Sequence, residues 1–128
     1  MKRILHISGR PERSEWVAAE LKRKGFRVTT AEDGRRGIEY LSKTTFDLIL
    51  VGLQAPIRPA DRLIEWVVAN RPQFKSRILV VSENELTPGL GALLESLEIP
   101  RLSVPFPTGR LVQFVVNMIS LRQDALAS

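Results

Sequence analysis

Short apolar runs alternate with longer stretches of helical period along this chain. Ile4 to Ile7 is almost continuously apolar, the pattern of a strand buried on both faces. Pro11-Glu12 then opens a helix, with Val17 and Leu21 one turn apart on its inner face and Gly25 as its stop. Phe26 to Ala31 predicts a second, more polar strand, suited to a sheet edge. Asp33 can cap a helix that turns Ile38 and Leu41 inward. Asp47 to Leu53 holds the buried run Leu48-Ile49-Leu50-Val51. Two prolines, Pro56 and Pro59, keep 54–59 as a loop before a helix over Ala60 to Asn70, with Leu63, Ile64 and Val67 inward. Arg77 to Ser82 predicts a fourth strand, and Glu85 to Leu97 a helix weakened by Pro88, Gly89 and Gly91. Pro100 to Val104 is a last short strand, and a helix from Thr108 to about Arg122 closes the pattern.

Five βα units in sequence specify a fold class. Strands joined by single helices pair in parallel through right-handed crossovers, and five of them build an open doubly wound sheet. The expected architecture is α/β, with function gathered at the carboxyl ends of the strands. One domain over residues 1–123 and a tail over 124–128 are expected.

Composition narrows the chemistry. The 128 residues are 44% hydrophobic and 26% charged, an ordinary globular balance. Cysteine is absent and there is one histidine, which excludes disulfides, thiolate metal sites, cysteine nucleophiles and histidine-rich metal sites. No apolar run approaches the roughly 20 residues of a membrane span, and the apolar start is too short for a signal peptide. A cytoplasmic protein with no membrane partner is expected. The formal net charge of +5 raises nucleic acid as a partner. The cations are dispersed, with Lys22-Arg23-Lys24 and Arg35-Arg36 the main clusters, so a solvated basic surface is preferred and nucleic acid is kept as a secondary reading.

The landmarks also carry a resemblance. Lys2-Arg3-Ile4-Leu5 before Arg10-Pro11-Glu12, the turn Thr30-Ala31-Glu32-Asp33-Gly34, the strand Phe46-Asp47-Leu48-Ile49-Leu50 with Pro56 after it, and Pro105-Phe106 are similar to receiver domains of two-component response regulators. The resemblance covers nearly the whole chain. It implies a flavodoxin-like (βα)5 fold with strand order 2-1-3-4-5. In that family an acidic pair after the first strand holds magnesium, and an aspartate on the third strand accepts the phosphoryl group. A hydroxyl residue ends the fourth strand, and a lysine precedes the Pro-Phe pair. The resemblance places Ser8 and Gly9 at the acidic pair, Gly52 at the acceptor, Ser82 at the hydroxyl and Val104 at the lysine. Only Ser82 is of the family's type. Magnesium needs hard oxygen ligands and aspartyl phosphate needs a carboxylate nucleophile, so the chemistry should be lost and no metal or cofactor is expected.

The remaining residues yield lesser readings. Asp47 is the nearest upstream carboxylate, but it sits at the opposite end of its strand. His6 reads as a neutral core residue, and Trp16 and Trp66 as covers of core edges. Gly34-Arg35-Arg36-Gly37 lacks the spacing and lysine of a phosphate loop. Arg10, Arg58 and Arg62, with Ser82, could bind an anion at the former phosphoryl site through helix N-termini. The competing and preferred reading is that Glu12, Asp61 and Glu83 neutralise them in surface pairs. The last helix carries a wide apolar stripe. Leu111, Val112, Val115, Val116 and Ile119, with Arg101, are candidates for a protein-partner or homodimer face, in contest with plain burial. The function these readings support is a phosphorylation-independent pseudo-receiver: a non-enzymatic protein-interaction module in two-component (phosphorelay) signal transduction. The alternatives are a basic nucleic-acid-associated regulator and an anion or small-ligand sensor using the remodelled pocket.

Overall fold

The computed structural model describes residues 2–7, 11–53, 58–82, 88–103 and 108–127. In chain order the elements are β1 (Arg3–Ile7), α1 (Pro11–Arg23), β2 (Arg27–Ala31), α2 (Gly34–Lys43), β3 (Leu48–Leu53) and α3 (Arg58–Asn70). A 3-10 turn (Pro72–Arg77) leads to β4 (Ile78–Ser82), α4 (Pro88–Ser96), β5 (Arg101–Ser103) and α5 (Thr108–Ala127). All strand pairs are parallel, in the order β2-β1-β3-β4-β5.

Alternation along the strands separates two hydrophobic layers. Leu5, Ile7, Ile49, Val51, Ile78 and Val80 face one side, where α2 and α3 contribute Leu41, Leu63, Ile64 and Val67, and Phe74 of the 3-10 turn seals the layer. Ile4, Leu48, Leu50 and Leu79 face the other, packed with Val17 and Leu21 of α1 and with α5. Central strands therefore have apolar side chains on both faces, which is why they read as unbroken runs. The polar β2 lies at the edge, with Arg27 and Thr30 exposed and Ala31 buried.

Several boundaries differ from the sequence expectation. Helix α3 begins at Arg58, so Pro59 occupies its first turn, where a missing N–H costs nothing. Helix α4 starts at Pro88, and residues 83–87 lie outside the described set. Helix α5 continues past Arg122 to Ala127, through most of the expected tail.

Helix ends show why the local sequence folds as it does. Asp33 caps α2 by accepting the Arg36 N–H at 2.9 Å. Helix α1 ends with Gly25 at φ 94, and the N–H of Phe26 donates to the Leu21 carbonyl at 3.2 Å. After α4 the same arrangement recurs with a non-glycine residue: Glu98 stands at φ 58, and the Ile99 N–H donates to the Leu94 carbonyl at 2.9 Å. A left-handed backbone costs an L-residue about 1–2 kcal/mol, part of which glycine returns as unfolded-state entropy. Glu98→Gly should accordingly raise stability by about 0.5–1 kcal/mol, read as a higher urea midpoint at unchanged slope. A lower midpoint would show that the Glu98 side chain contributes more than its backbone costs.

Candidate functional site

The carboxyl ends of the strands form the rim where this topology places ligands. Ile7 stands opposite Ala31 and Val51, Gly52 opposite Val81, and Leu53 opposite Ser82, which in turn faces Ser103. Gly52 is half-buried near the end of β3 and offers no side chain to the rim. Ser82 ends β4 one register step beyond Gly52, and its side chain is outside the described set. Ser8, Gly9, Arg10 and Val104 lie outside the described residues altogether, as does Glu83. Of the candidate anion-binding arginines, Arg58 is placed by its backbone at the start of α3, and Arg62 is exposed on the same helix.

The described carboxylates give this rim little ligating capacity. Asp33 is engaged in capping α2, and Glu32 beside it is exposed. Among the described residues no group of three or more His, Cys, Asp or Glu is disposed to hold a metal ion. Asp47 is at the far pole, as its place in the strand requires. It accepts the Arg3 backbone N–H at 2.8 Å, returns its own N–H to the Arg3 carbonyl at 2.8 Å, and lies 3.9 Å from the Lys2 ammonium. Five positions of extended chain, roughly 16 Å, separate it from Gly52.

His6 is 5% exposed, opposite Thr30 and Leu50 in the register. Burial opposes its charged form and lowers its pKa from 6.5 to about 4, so it is the neutral core residue expected. The Gly34–Gly37 segment is the first turn of α2 and no phosphate loop. Gly34 and Gly37 are buried, and Arg36 donates to Glu39 at 2.7 Å while stacking over Tyr40.

Two readings need correction. Leu111, Val112, Val115 and Ile119 are at most 5% exposed and pack in the layer shared with α1, so the apolar width of α5 is mostly core. Of the candidate face, Arg101 remains exposed and Val116 half-buried, with Gln113 and Asn117 exposed alongside. Periodicity alone could not separate these outcomes, because a helix seated between a sheet and a neighbouring helix needs a wide stripe too. Trp66 does pack against the α2/α3 layer, but Trp16 is 56% exposed and covers no core edge.

No family model matches the chain. The transcriptional activator protein PfeR of Pseudomonas aeruginosa is 37% identical over 54 residues, 42% of this chain and 18% of that protein. Hybrid signal transduction histidine kinase D of Dictyostelium discoideum is 28% identical over 120 residues, 94% of this chain and 8% of that protein. The chain thus spans less than a fifth of the curated relatives it matches. Among solved structures, a CheY-like response regulator receiver domain protein from Methanospirillum hungatei superposes with a TM-score of 0.85 at 16% identity, covering 98% of each chain. A streptococcal structure, from a family of redox sensors described as evolved from two-component response regulators, gives 0.85 at 20% identity over 98% of this chain and 54% of that one. The receiver domain of Francisella response regulator 1452 gives 0.78 at 17% identity, over 95% and 99%. The fold is that of response regulator receiver domains, with the expected strand order. No helix among the described residues is long and apolar enough to cross a membrane.

Proposed function

We propose that this domain is a pseudo-receiver that binds a protein partner in a two-component pathway without being phosphorylated. The observation that carries the reading is Gly52: the third strand delivers a residue with no side chain to the rim, at the place the family resemblance gives to the acceptor. An aspartyl phosphate needs a carboxylate there, and no backbone group substitutes for one. Ser8, Gly9 and Val104 remove, in the same comparison, the magnesium ligands and the lysine. The streptococcal neighbour, by its description, came from response regulators and serves as a redox sensor, which supports reuse of this scaffold for other tasks.

The partner face we favour is the edge made by β5 and the accessible side of α5, with Arg101 and Val116 from the sequence reading and Gln113 and Asn117 beside them. The core residues of α5 would hold this face rigid without touching the partner. Cytoplasmic residence and a non-enzymatic role belong to the same proposal.

Beryllofluoride or acetyl phosphate with magnesium provides the test. Amide shifts around Gly52 and the intact mass should both stay unchanged. A magnesium-dependent shift centred on β3 and β4, or a covalent phosphoryl adduct, would overturn the proposal. Titration with inorganic phosphate addresses the arginine rim separately: shifts confined to Arg10, Arg58, Arg62 and Ser82 would support an anion site there, and unchanged shifts would remove it.

A further inference from the structure

The positive charge that is dispersed in the sequence is gathered by the fold at one pole. The segments that feed β1 to β4 are 2–3, 22–27, 43–47 and 71–77. They hold ten of the 19 Lys and Arg residues and one acid, Asp47, while the segment feeding β5, 97–100, adds Glu98 and no cation at the far edge. Asp47 is already committed to the Arg3 backbone and Lys2. This is the amino end of the sheet, opposite the rim discussed above.

Two explanations compete for these cations. Lys22, Lys24 and Lys43 follow or end helices, where a positive charge complements the helix dipole. That account fails for Arg3 and Arg27, which begin strands, since strands carry little net dipole. Arg3 and Arg27 are direct register partners on adjacent strands, so both side chains leave the same face of the sheet. Both are exposed, and neither guanidinium has an ion pair or hydrogen bond among the described residues. Like charges directly opposite one another are destabilising, a cost that a bound anion would relieve.

We infer that the amino pole of the sheet, centred on Arg3, Arg27, Lys22 and Lys24, is a binding surface for single-stranded nucleic acid. From β2 to β4 the pole spans three strand spacings, roughly 14 Å, which accommodates several consecutive phosphates. Trp16 supplies the second element of such a surface. It is the large hydrophobic residue left exposed among the described residues. It lies about 9 Å of helix rise, or six positions, before Lys22 on α1, at the margin of the pole; Arg23 is not among the available cations, because it donates to Glu20 at 2.8 Å. An exposed aromatic beside a track of cations is what stacks a base while phosphates are neutralised. A membrane surface would call for several apolar residues interleaved with the cations, and the pole offers one indole at its margin.

The test is fluorescence anisotropy of a labelled 20-nucleotide oligouridylate titrated with the full chain. Neutralising four or five phosphates should make affinity fall about 50- to 100-fold between 50 and 200 mM salt, at about 0.7 logarithmic units per phosphate for each tenfold rise in salt. Arg3→Gln with Arg27→Gln should weaken binding at least fivefold and flatten the salt slope, and Trp16→Ala should weaken it without changing that slope. Arg35→Gln with Arg110→Gln removes the same net charge elsewhere and should leave affinity within twofold; circular dichroism checks that each variant is folded. Absence of binding at 50 mM salt, equal losses in both double variants, or tighter binding to phosphatidylserine vesicles than to the oligonucleotide would each overturn the inference.

Discussion

Lowering the pH from 7 to 5 should cost the fold about 2 kcal/mol through His6 alone, rising to about 3 kcal/mol by pH 4. The sign follows from where the proton binds. Above the unfolded value of 6.5 neither state takes it up, and His6 contributes no pH dependence. Between 6.5 and about 4 the unfolded chain is protonated while the buried ring is not, so stability falls with pH by up to about 1.4 kcal/mol per unit. Below the folded value both states hold the proton and the slope from this residue vanishes. Against a typical total of 5–15 kcal/mol, such a loss makes His6 a leading contributor to acid unfolding. Urea midpoints of wild type and His6→Gln across pH 7.5 to 4.5 isolate the term. The variant loses packing at every pH, so the informative quantity is the difference in slope. Parallel curves would mean that His6 titrates normally and is not shielded as its burial requires.

Gly37→Val should destabilise by about 3 kcal/mol, near the upper end for an overpacked core. A Cβ at this position would stand 2.7 Å from Ile7 Cδ1 and 3.2 Å from Ile7 Cγ1, with Leu63 Cδ1 at 3.5 Å. Helix α2 therefore lies on β1 as closely as it does because residue 37 lacks a side chain. Gly37→Ala should cost less, about 1 kcal/mol, since a gain in helix propensity of similar size offsets part of the clash. Coupling to Ile7 gives a sharper test than either value. In the Gly37→Ala background, Ile7→Val removes the clashing methyl group and should be neutral or stabilising, whereas alone it should cost about 0.5–1.5 kcal/mol. Additive behaviour in this double-mutant cycle would place the strain elsewhere.

These two residues show how far the sequence can be read. His6 is legible as a core histidine because it stands within an apolar strand and belongs to no metal or catalytic sequence motif. In the sequence Gly37 is only one end of a Gly-Arg-Arg-Gly string, and nothing local reveals that the opposite wall is Ile7, thirty positions earlier. The same limit governs the larger features. Five buried or edge strands, the Asp33 cap and the Gly25 stop were readable because their causes lie within a few residues. The burial of Leu111, Val112, Val115 and Ile119 depends on what α5 meets in space, and Trp16 is exposed for a reason of the same kind. The polar concentration of cations was invisible because topology, not spacing, brings residues 3, 27, 43 and 75 to one end.

The shortness of β5 has a consequence for self-association. Among the described residues three of β5 pair with β4, against five in each of the β1/β2 and β3/β4 ladders. An open border of three residues, beginning with a charged Arg101, is a poor template for another chain's backbone. Copies that meet at this margin would be held by side-chain contacts, with no continuous ladder running from one molecule into the next. Such an association can dissolve and re-form without unfolding either copy, and it resists propagation into a fibre.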